Sequence, residues 1–214
     1  MQNKIVTVLL SLWLAVPTFA DGVGAFENFS MGAMLGMGPS YMTGSDKDLY
    51  SDNYSAGFGI YFRMAFPVTS RASVLADIGL DGTFGFAGEY EYLRRTVVDS
   101  VETYGMEFTV MWNVFVAENV FVSAGPSFRI PQVDEKIEVD GTEVFSQEEV
   151  DYGNDLWLDA VVAFGFKNNG AELGLRTGYE FLGMYKETDS YRKVDIHELR
   201  FRLYFTYWFG QKRN

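Results

Sequence analysis

The sequence predicts an all-β chain, an eight-stranded antiparallel up-and-down transmembrane β-barrel behind a cleavable export signal. Three observations lead there. Apolar residues alternate with polar or small ones in eight successive segments, the period-2 pattern of strands with one apolar face. The connections between these segments alternate short and long. Finally, the chain is 48% hydrophobic and 17% aromatic, yet only residues 5–16 make a predominantly apolar stretch of more than a few residues. A membrane-spanning helix needs about 20 such residues.

Residues 1–20 read as a signal peptide and 21–214 as the barrel domain. Lys4 supplies a positive start, residues 5–16 an apolar stretch too short to span a bilayer, and Pro17 a break. Thr18-Phe19-Ala20 ends in the small residue that signal peptidase reads. Cleavage after Ala25 is the alternative site. Losing Lys4 leaves 16 basic and 29 acidic residues, a net charge of −13.

The first strand, 31–43, sets Met31, Ala33, Leu35 and Met37 against Gly32, Met34, Gly36 and Gly38. The second, 54–66, is the clearest, with Ala56, Phe58, Ile60, Phe62 and Phe66 against Gly57, Gly59, Tyr61 and Arg63. Segments 72–86, 103–115, 120–130, 156–167 and 171–181 repeat the pattern. The eighth, 199–209, opposes Leu199, Phe201, Leu203, Phe205, Tyr207 and Phe209 to Arg200, Arg202, Tyr204, Thr206 and Trp208. Short turns are expected at 67–70, 117–119 and 168–170. Long polar loops are expected at 44–53, 87–101, 131–154 and 186–195. Within the third loop, Asp140-Gly141 between strand-like stretches suggests a protruding hairpin, able to pair with another chain by strand addition.

The polar face carries full charges of both signs and many glycines, and the apolar face carries bulky aromatics. That places the apolar face outward, toward lipid, with an aromatic belt near the strand ends; a soluble barrel points it inward. In lipid every backbone donor must be satisfied internally, so the last strand must pair with the first.

This pattern resembles the small outer-membrane β-barrel proteins of Gram-negative bacteria, the OmpA transmembrane-domain and OmpX type. The resemblance covers the whole mature chain. It rests on the strand pattern, on the segments Gly38-Pro39-Ser40-Tyr41 and Gly125-Pro126-Ser127-Phe128, and on the ending Tyr207-Trp208-Phe209-Gly210. The chain departs from the family by continuing to Asn214 beyond its aromatic ending. Each proline removes a ladder hydrogen bond, so each Gly-Pro-Ser segment is expected to mark a bulge. The resemblance implies a cell-envelope protein of the outer membrane, in contact with its lipid and lipopolysaccharide.

A barrel of eight strands is filled by its own side chains. A lumen charge network is expected from Arg63, Asp77, Asp81, Glu107, Arg129, Asp159, Arg176, Glu180, Arg200 and Arg202, with Lys167, Glu172 and Glu198 on the same face. Six of these, Asp81, Glu107, Arg129, Asp159, Glu180 and Arg200, fall at a common height and suggest a lateral layer that plugs the barrel. The third long loop concentrates Asp134, Glu135, Glu138, Asp140, Glu143, Glu148, Glu149 and Asp151 against Lys136. It is the expected surface for a protein partner. It lacks the spacing of a calcium loop, so no metal site is assigned.

The acidic balance disfavours nucleic acid, whose phosphates it would repel. Absence of cysteine excludes disulfides, thiolate chemistry and an N-terminal lipid anchor. No phosphate loop, nucleophile elbow or His-x-Ser element occurs, and no cofactor is indicated. The sole histidine, His197, falls on the apolar parity near the outer rim. The reading is a non-enzymatic barrel with a plugged lumen and a structural or surface-interaction role. The alternatives are a narrow porin-like pore and, behind it, a lipid-modifying barrel enzyme.

Overall fold

A computed structural model describes residues 29–47, 53–147, 155–168, 170–183 and 195–209. The expected export signal and both of its candidate cleavage sites lie outside these residues, as do Glu148, Glu149 and Asp151. Nine strands form in order: β1 (Ser30–Thr43), β2 (Tyr54–Pro67), β3 (Ala72–Tyr92), β4 (Arg95–Phe115), β5 (Val120–Val139), β6 (Thr142–Gln147), β7 (Trp157–Asn168), β8 (Ala171–Glu180) and β9 (His197–Trp208). Eight of them close a barrel of antiparallel neighbours. The closing ladder runs between β1 and β9, from Gly32 opposite Trp208 to Thr43 opposite His197. The ninth, β6, lies beyond the wall and pairs with the outer part of β5.

The alternation sorts side chains as the sequence predicts. Leu35, Ile60, Leu80, Met106, Phe164, Leu173 and Leu203 stand exposed on the outer surface. Arg63, Asp77, Arg129 and Asp159 are fully buried in the lumen. This is a water-soluble protein turned inside out: the exposed band is favourable only against hydrocarbon, and the closed ladder leaves the backbone no unpaired edge there. No helix among the described residues is long and apolar enough to cross a membrane.

Tight turns join strands at one end, where the Val68 amide donates to the Ala72 carbonyl (2.9 Å) and the Val116 amide to that of Val120 (2.9 Å). The described termini meet at this end, where the Phe209 amide donates to the Met31 carbonyl (2.7 Å). At the other end β3, β4, β5 and β6 continue past the barrel as a four-stranded collar.

The collar corrects the expectation of polar loops at 87–101 and 131–154. β3 and β4 instead run on to a two-residue turn at Leu93 and Arg94, with φ of 50° and 64°, the left-handed pair a tight hairpin requires. A second hairpin turns at Asp140-Gly141, as the sequence suggested. The β3 extension was hidden by a bulge. The register with β4 shifts between Thr83 and Phe86, so the inward parity changes from odd (Asp81, Thr83) to even (Phe86, Gly88).

The expected bulges at the two Gly-Pro-Ser segments are also corrected. On both sides of Pro39 and Pro126 the register is unbroken. Each segment leaves a two-residue gap in one ladder and none in the other, so the missing amide costs pairing without inserting a residue.

Gly85 sits in the true bulge with φ 112°. Gly85→Ala is expected to cost about 1–2 kcal/mol of stability through backbone strain, since a Cβ there meets the flexible Glu102 side chain at 3.3 Å and the Val101 carbonyl oxygen no nearer than 3.7 Å. Urea unfolding in lipid or detergent reads the loss.

Candidate functional site

Two regions hold the chemistry-bearing residues: the lumen and the collar. In the lumen, Arg63 is bidentate to Asp77 (2.7 and 2.9 Å) and also bonds Glu172. Arg176 bridges Asp77 (2.7 Å) and Glu107 (2.5 Å). Arg200 reaches Asp81 (2.8 Å), Glu107 (2.6 Å) and Asp159. Arg202 binds Asp81 (3.0 Å), and Arg129 binds Glu198 with Asp81 at 3.8 Å. Guanidinium is suited to this because its planar fork serves several carboxylates at once.

Glu107 is the junction. It accepts from Arg176, Thr109 (3.1 Å) and Ser127 (2.8 Å) on one oxygen, and from Arg200 and Tyr61 (3.2 Å) on the other. The network therefore runs vertically as well as across. Of the six residues expected in one lateral layer, Asp81, Glu107, Arg129, Asp159 and Arg200 lie together. Among the described residues Glu180 joins no arginine. It sits at the outer end of β8, opposite Asp159. There it accepts the amides of Leu182 and Gly183 (3.0 Å for the latter), and His197 Nδ1 lies 3.3 Å away.

Aromatic side chains complete the lumen, and these the sequence left unassigned. Tyr61 shares its one hydroxyl proton between Asp81 (2.7 Å) and, more weakly, Glu107 (3.2 Å), and Tyr204 (2.9 Å) and Trp208 (3.2 Å) donate to Glu172. The guanidinium of Arg176 lies 4.8 Å from the Tyr61 ring, that of Arg63 5.1 Å from Tyr204, and that of Arg129 4.2 Å from Trp157. Lys167, half-buried at the inner mouth, stacks on Trp208 at 4.1 Å. Glycine makes the room: a Cβ on Gly174 would lie 2.8 Å from the Tyr204 ring. The available signal was the aromatic residue on the glycine-rich parity, as at Gly57-Gly59-Tyr61. Toward the outside, Met42, Phe86, Val101, Val133, Trp157 and Ile196 form a buried apolar cluster over the charges.

At the rim His197 bridges two carboxylates, with Nε2 3.0 Å from Asp195 and Nδ1 near Glu180. Its ring stacks on Tyr179. Asp195 also accepts the Ser45 amide (2.9 Å) and returns its own amide to Asp46 (2.8 Å). Bonding from the Ser45 amide, then from His197, holds the Asp195 carboxyl below the usual range. The contact joins the strand ends around the mouth.

The collar places the acidic residues of the expected contact loop on a sheet. Lys136 is shared by Glu138 (2.6 Å) and Glu143 (3.3 Å). Asp134 accepts from Tyr104 (2.9 Å) and lies opposite Glu102, whereas Glu135 is half-buried. Asp140 clamps the two hairpin tips: it accepts from Arg95 (2.8 Å) and the Thr96 amide (2.9 Å), and its own amide donates to the Thr96 carbonyl (2.8 Å). Among the described residues no group of three or more acidic or histidine side chains is arranged to hold a metal ion.

A closed antiparallel barrel of eight strands with charges inside and an apolar exterior is the fold of the small outer-membrane β-barrels of OmpA/OmpX type. Solved structures of proteins with this fold are similar to the chain. Ail, the attachment invasion locus protein of Yersinia pestis, matches with a TM-score of 0.50 at 12% identity, covering 84% of this chain and 98% of Ail. Ail bound to the heparin analogue sucrose octasulfate matches at 0.48 and 12%, covering 85% and 99%. Neisserial surface protein A, NspA, matches at 0.48 and 10%, covering 84% and 96%. What is shared at such identity is the fold. No family model matches the chain, and no curated protein matches its sequence.

Removing one partner of a buried ion pair leaves a charge uncompensated. Arg200→Ala is expected to destabilise the barrel by about 3–5 kcal/mol, with Arg200→Lys intermediate because it keeps the charge and loses the fork; urea unfolding measures both. At the collar tip, bonds from Arg95, then from the Thr96 amide, hold the Asp140 carboxyl below its ordinary range. A depressed carboxyl contributes above its unfolded value and loses that contribution as pH falls through the folded one. The Thr96 amide resonance is therefore expected to be constant near neutral pH and to shift on acidification, and to lose that titration in Asp140→Asn.

Proposed function

We propose that this chain is a non-enzymatic surface-interaction barrel of the bacterial outer membrane, exported with a cleaved signal peptide, with a closed lumen and the collar as its contact surface. One observation carries this reading: the five lumen arginines are all engaged by lumen carboxylates beneath an apolar cover, while a further acidic excess is displayed outside on a sheet. Collar residues 84–102 and 131–147 contain nine acidic side chains, Glu89, Glu91, Asp99, Glu102, Asp134, Glu135, Glu138, Asp140 and Glu143, against Arg94, Arg95 and Lys136. The sulfated heparin analogue bound by Ail does not carry over to such a surface, because like charges repel. His197 has carboxylates beside both ring nitrogens, Asp195 at 3.0 Å and Glu180 at 3.3 Å, so the rim is read as structural.

Deleting 134–151 is a poor test, because residues 133–139 are the ladder partners of 97–103 on β4. A photo-crosslinking residue at Glu143 in living cells is the better one. A discrete adduct with a protein or with lipopolysaccharide is expected. Capture only from the barrel wall, with none from the collar of a folded, surface-exposed protein, would overturn the assignment. Planar bilayers containing the folded protein are expected to stay silent, and discrete current steps would replace the closed lumen with a pore.

A further inference from the structure

We propose that the inner mouth of the barrel is a binding site for a small carboxylate, with the Lys167 ammonium as its counter-charge and the hydroxyls of Thr69 and Ser73 as its donors. A cavity of about 150 Å³ opens at this end, bounded by Ser30, Thr69, Ser73 and Lys167 among others. It lies at the end opposite the collar and shares no residue with the proposed contact surface. Its walls come from across the barrel. β2, whose turn into β3 carries Thr69, is separated from β7, which carries Lys167, by β1, β9 and β8 one way and by β3, β4 and β5 the other.

Lys167 is half-buried, and its partner across the ladder is Glu172. That carboxylate is already engaged by Arg63, Tyr204 (2.9 Å) and Trp208 (3.2 Å). Among the described residues the Lys167 ammonium makes no ion pair, and what it meets is the Trp208 ring, 4.1 Å away. Half-burial removes part of its hydration, so an arriving anion recovers a cost already incurred. The hydroxyls are set to donate. Ser73 Oγ accepts from Asn113 Nδ2 (3.1 Å), and Asn113 Oδ1 accepts from Ser123 (2.8 Å). Thr69 Oγ1 accepts the Arg71 amide (3.2 Å). A hydroxyl has one proton; with each oxygen already receiving an N–H, that proton is left for a ligand.

Among the described residues lining the cavity there is no carboxylate, so its side chains offer one positive charge and donors. A single ammonium balances a single negative charge; a phosphate monoester carries up to about two at neutral pH and would leave the second uncompensated. Ala65, Ala72 and Phe115 line the remaining wall, which suits a short aliphatic group beside the carboxylate. At about 30 Å³ per water the space is worth roughly five waters, enough for such a group and too small for a sugar ring. The site is ordered in advance. The Val68 and Thr69 amides both donate to the Ala72 carbonyl (2.9 and 3.0 Å), and the Lys167 amide donates to that of Asn119 (2.8 Å). Binding therefore costs little conformational freedom on the protein side. Such a carboxylate has two sources, a free short-chain acid and the C-terminal end of a peptide.

The experiment titrates the full barrel, in nanodiscs of uncharged lipid, with N-acetyl-alanine, its neutral amide, acetyl-trialanine and inorganic phosphate, following the amide resonances of residues 69–73. N-acetyl-alanine is expected to shift them with a dissociation constant on the order of 1 mM, as befits so small a ligand, and the neutral amide to bind about tenfold more weakly. Lys167→Gln should weaken binding about tenfold and leave urea unfolding unchanged, because no described carboxylate loses a partner; Lys167→Arg should restore part of the affinity. Ser73→Ala, which touches neither Lys167 nor Glu172, should weaken binding severalfold while the barrel stays folded. Tighter binding of acetyl-trialanine supports the site with a peptide end as its ligand, and equal affinity supports it with the free acid. Equal binding of carboxylate and amide, a preference for phosphate, undiminished binding by Lys167→Gln, or no binding at all would each overturn the proposal. Lost stability in Lys167→Gln with binding unchanged would return the lysine to a structural role beside Glu172.

Discussion

Five donors converge on the carboxylate of Glu107, from Arg176, Arg200, Tyr61, Thr109 and Ser127. The barrel depends on arrangements of this kind. Its apolar side chains face outward, so burial of hydrocarbon cannot by itself hold the interior together. An ionised carboxylate in a confined, low-dielectric lumen costs several kcal/mol unless it is paired and hydrogen-bonded. Seven carboxylates, Asp77, Asp81, Glu107, Asp159, Glu172, Glu180 and Glu198, are buried with five arginines. Arg63, Arg176 and Arg200 each serve two or more carboxylates, whereas Arg129 hydrogen-bonds Glu198 and Arg202 binds Asp81. Glu180 finds its partners in backbone amides and His197 instead.

The same demand explains the glycines and rings around the network. Long side chains from opposite walls must meet across a narrow lumen, and the rings of Tyr61 and Tyr204 occupy the space a β-carbon would fill at Gly79 and Gly174. Stacked guanidinium groups then lie against aromatic faces, where an unsatisfied edge is less exposed to competing acceptors.

Much of this was legible in the sequence, for a simple reason. A barrel wall has a strict period of two, and residues such as Ile60, Arg63, Leu203 and Arg202 obey it without exception. The inward set of charges followed from parity alone. What stayed illegible depended on a single inserted residue or on distance across the lumen. Gly85 shifts the parity of β3 and disguised a long hairpin as a loop. The tyrosines on the polar parity gave no hint of which carboxylate they would reach. Glu180 was placed by height in its strand, but its neighbours Leu182 and Gly183 belong to the turn that follows, and turn geometry has no periodicity to read. The prolines misled in the opposite sense, since a missing amide proved compatible with an unbroken register.

The β3–β4 hairpin has a consequence of scale. From the bulge beside Thr83 to the tip at Tyr92 the strand advances nine residues, about 30 Å at the ordinary rise of 3.4 Å per residue. Because that stalk continues the barrel wall and is braced at its tip by Asp140, its reach is fixed by the ladder. Whatever settles on the tip is held at a set stand-off from the barrel mouth. The barrel in this sense acts as a mast, and lengthening or trimming the hairpin by one pair of residues would change the height of its cargo by a single rung.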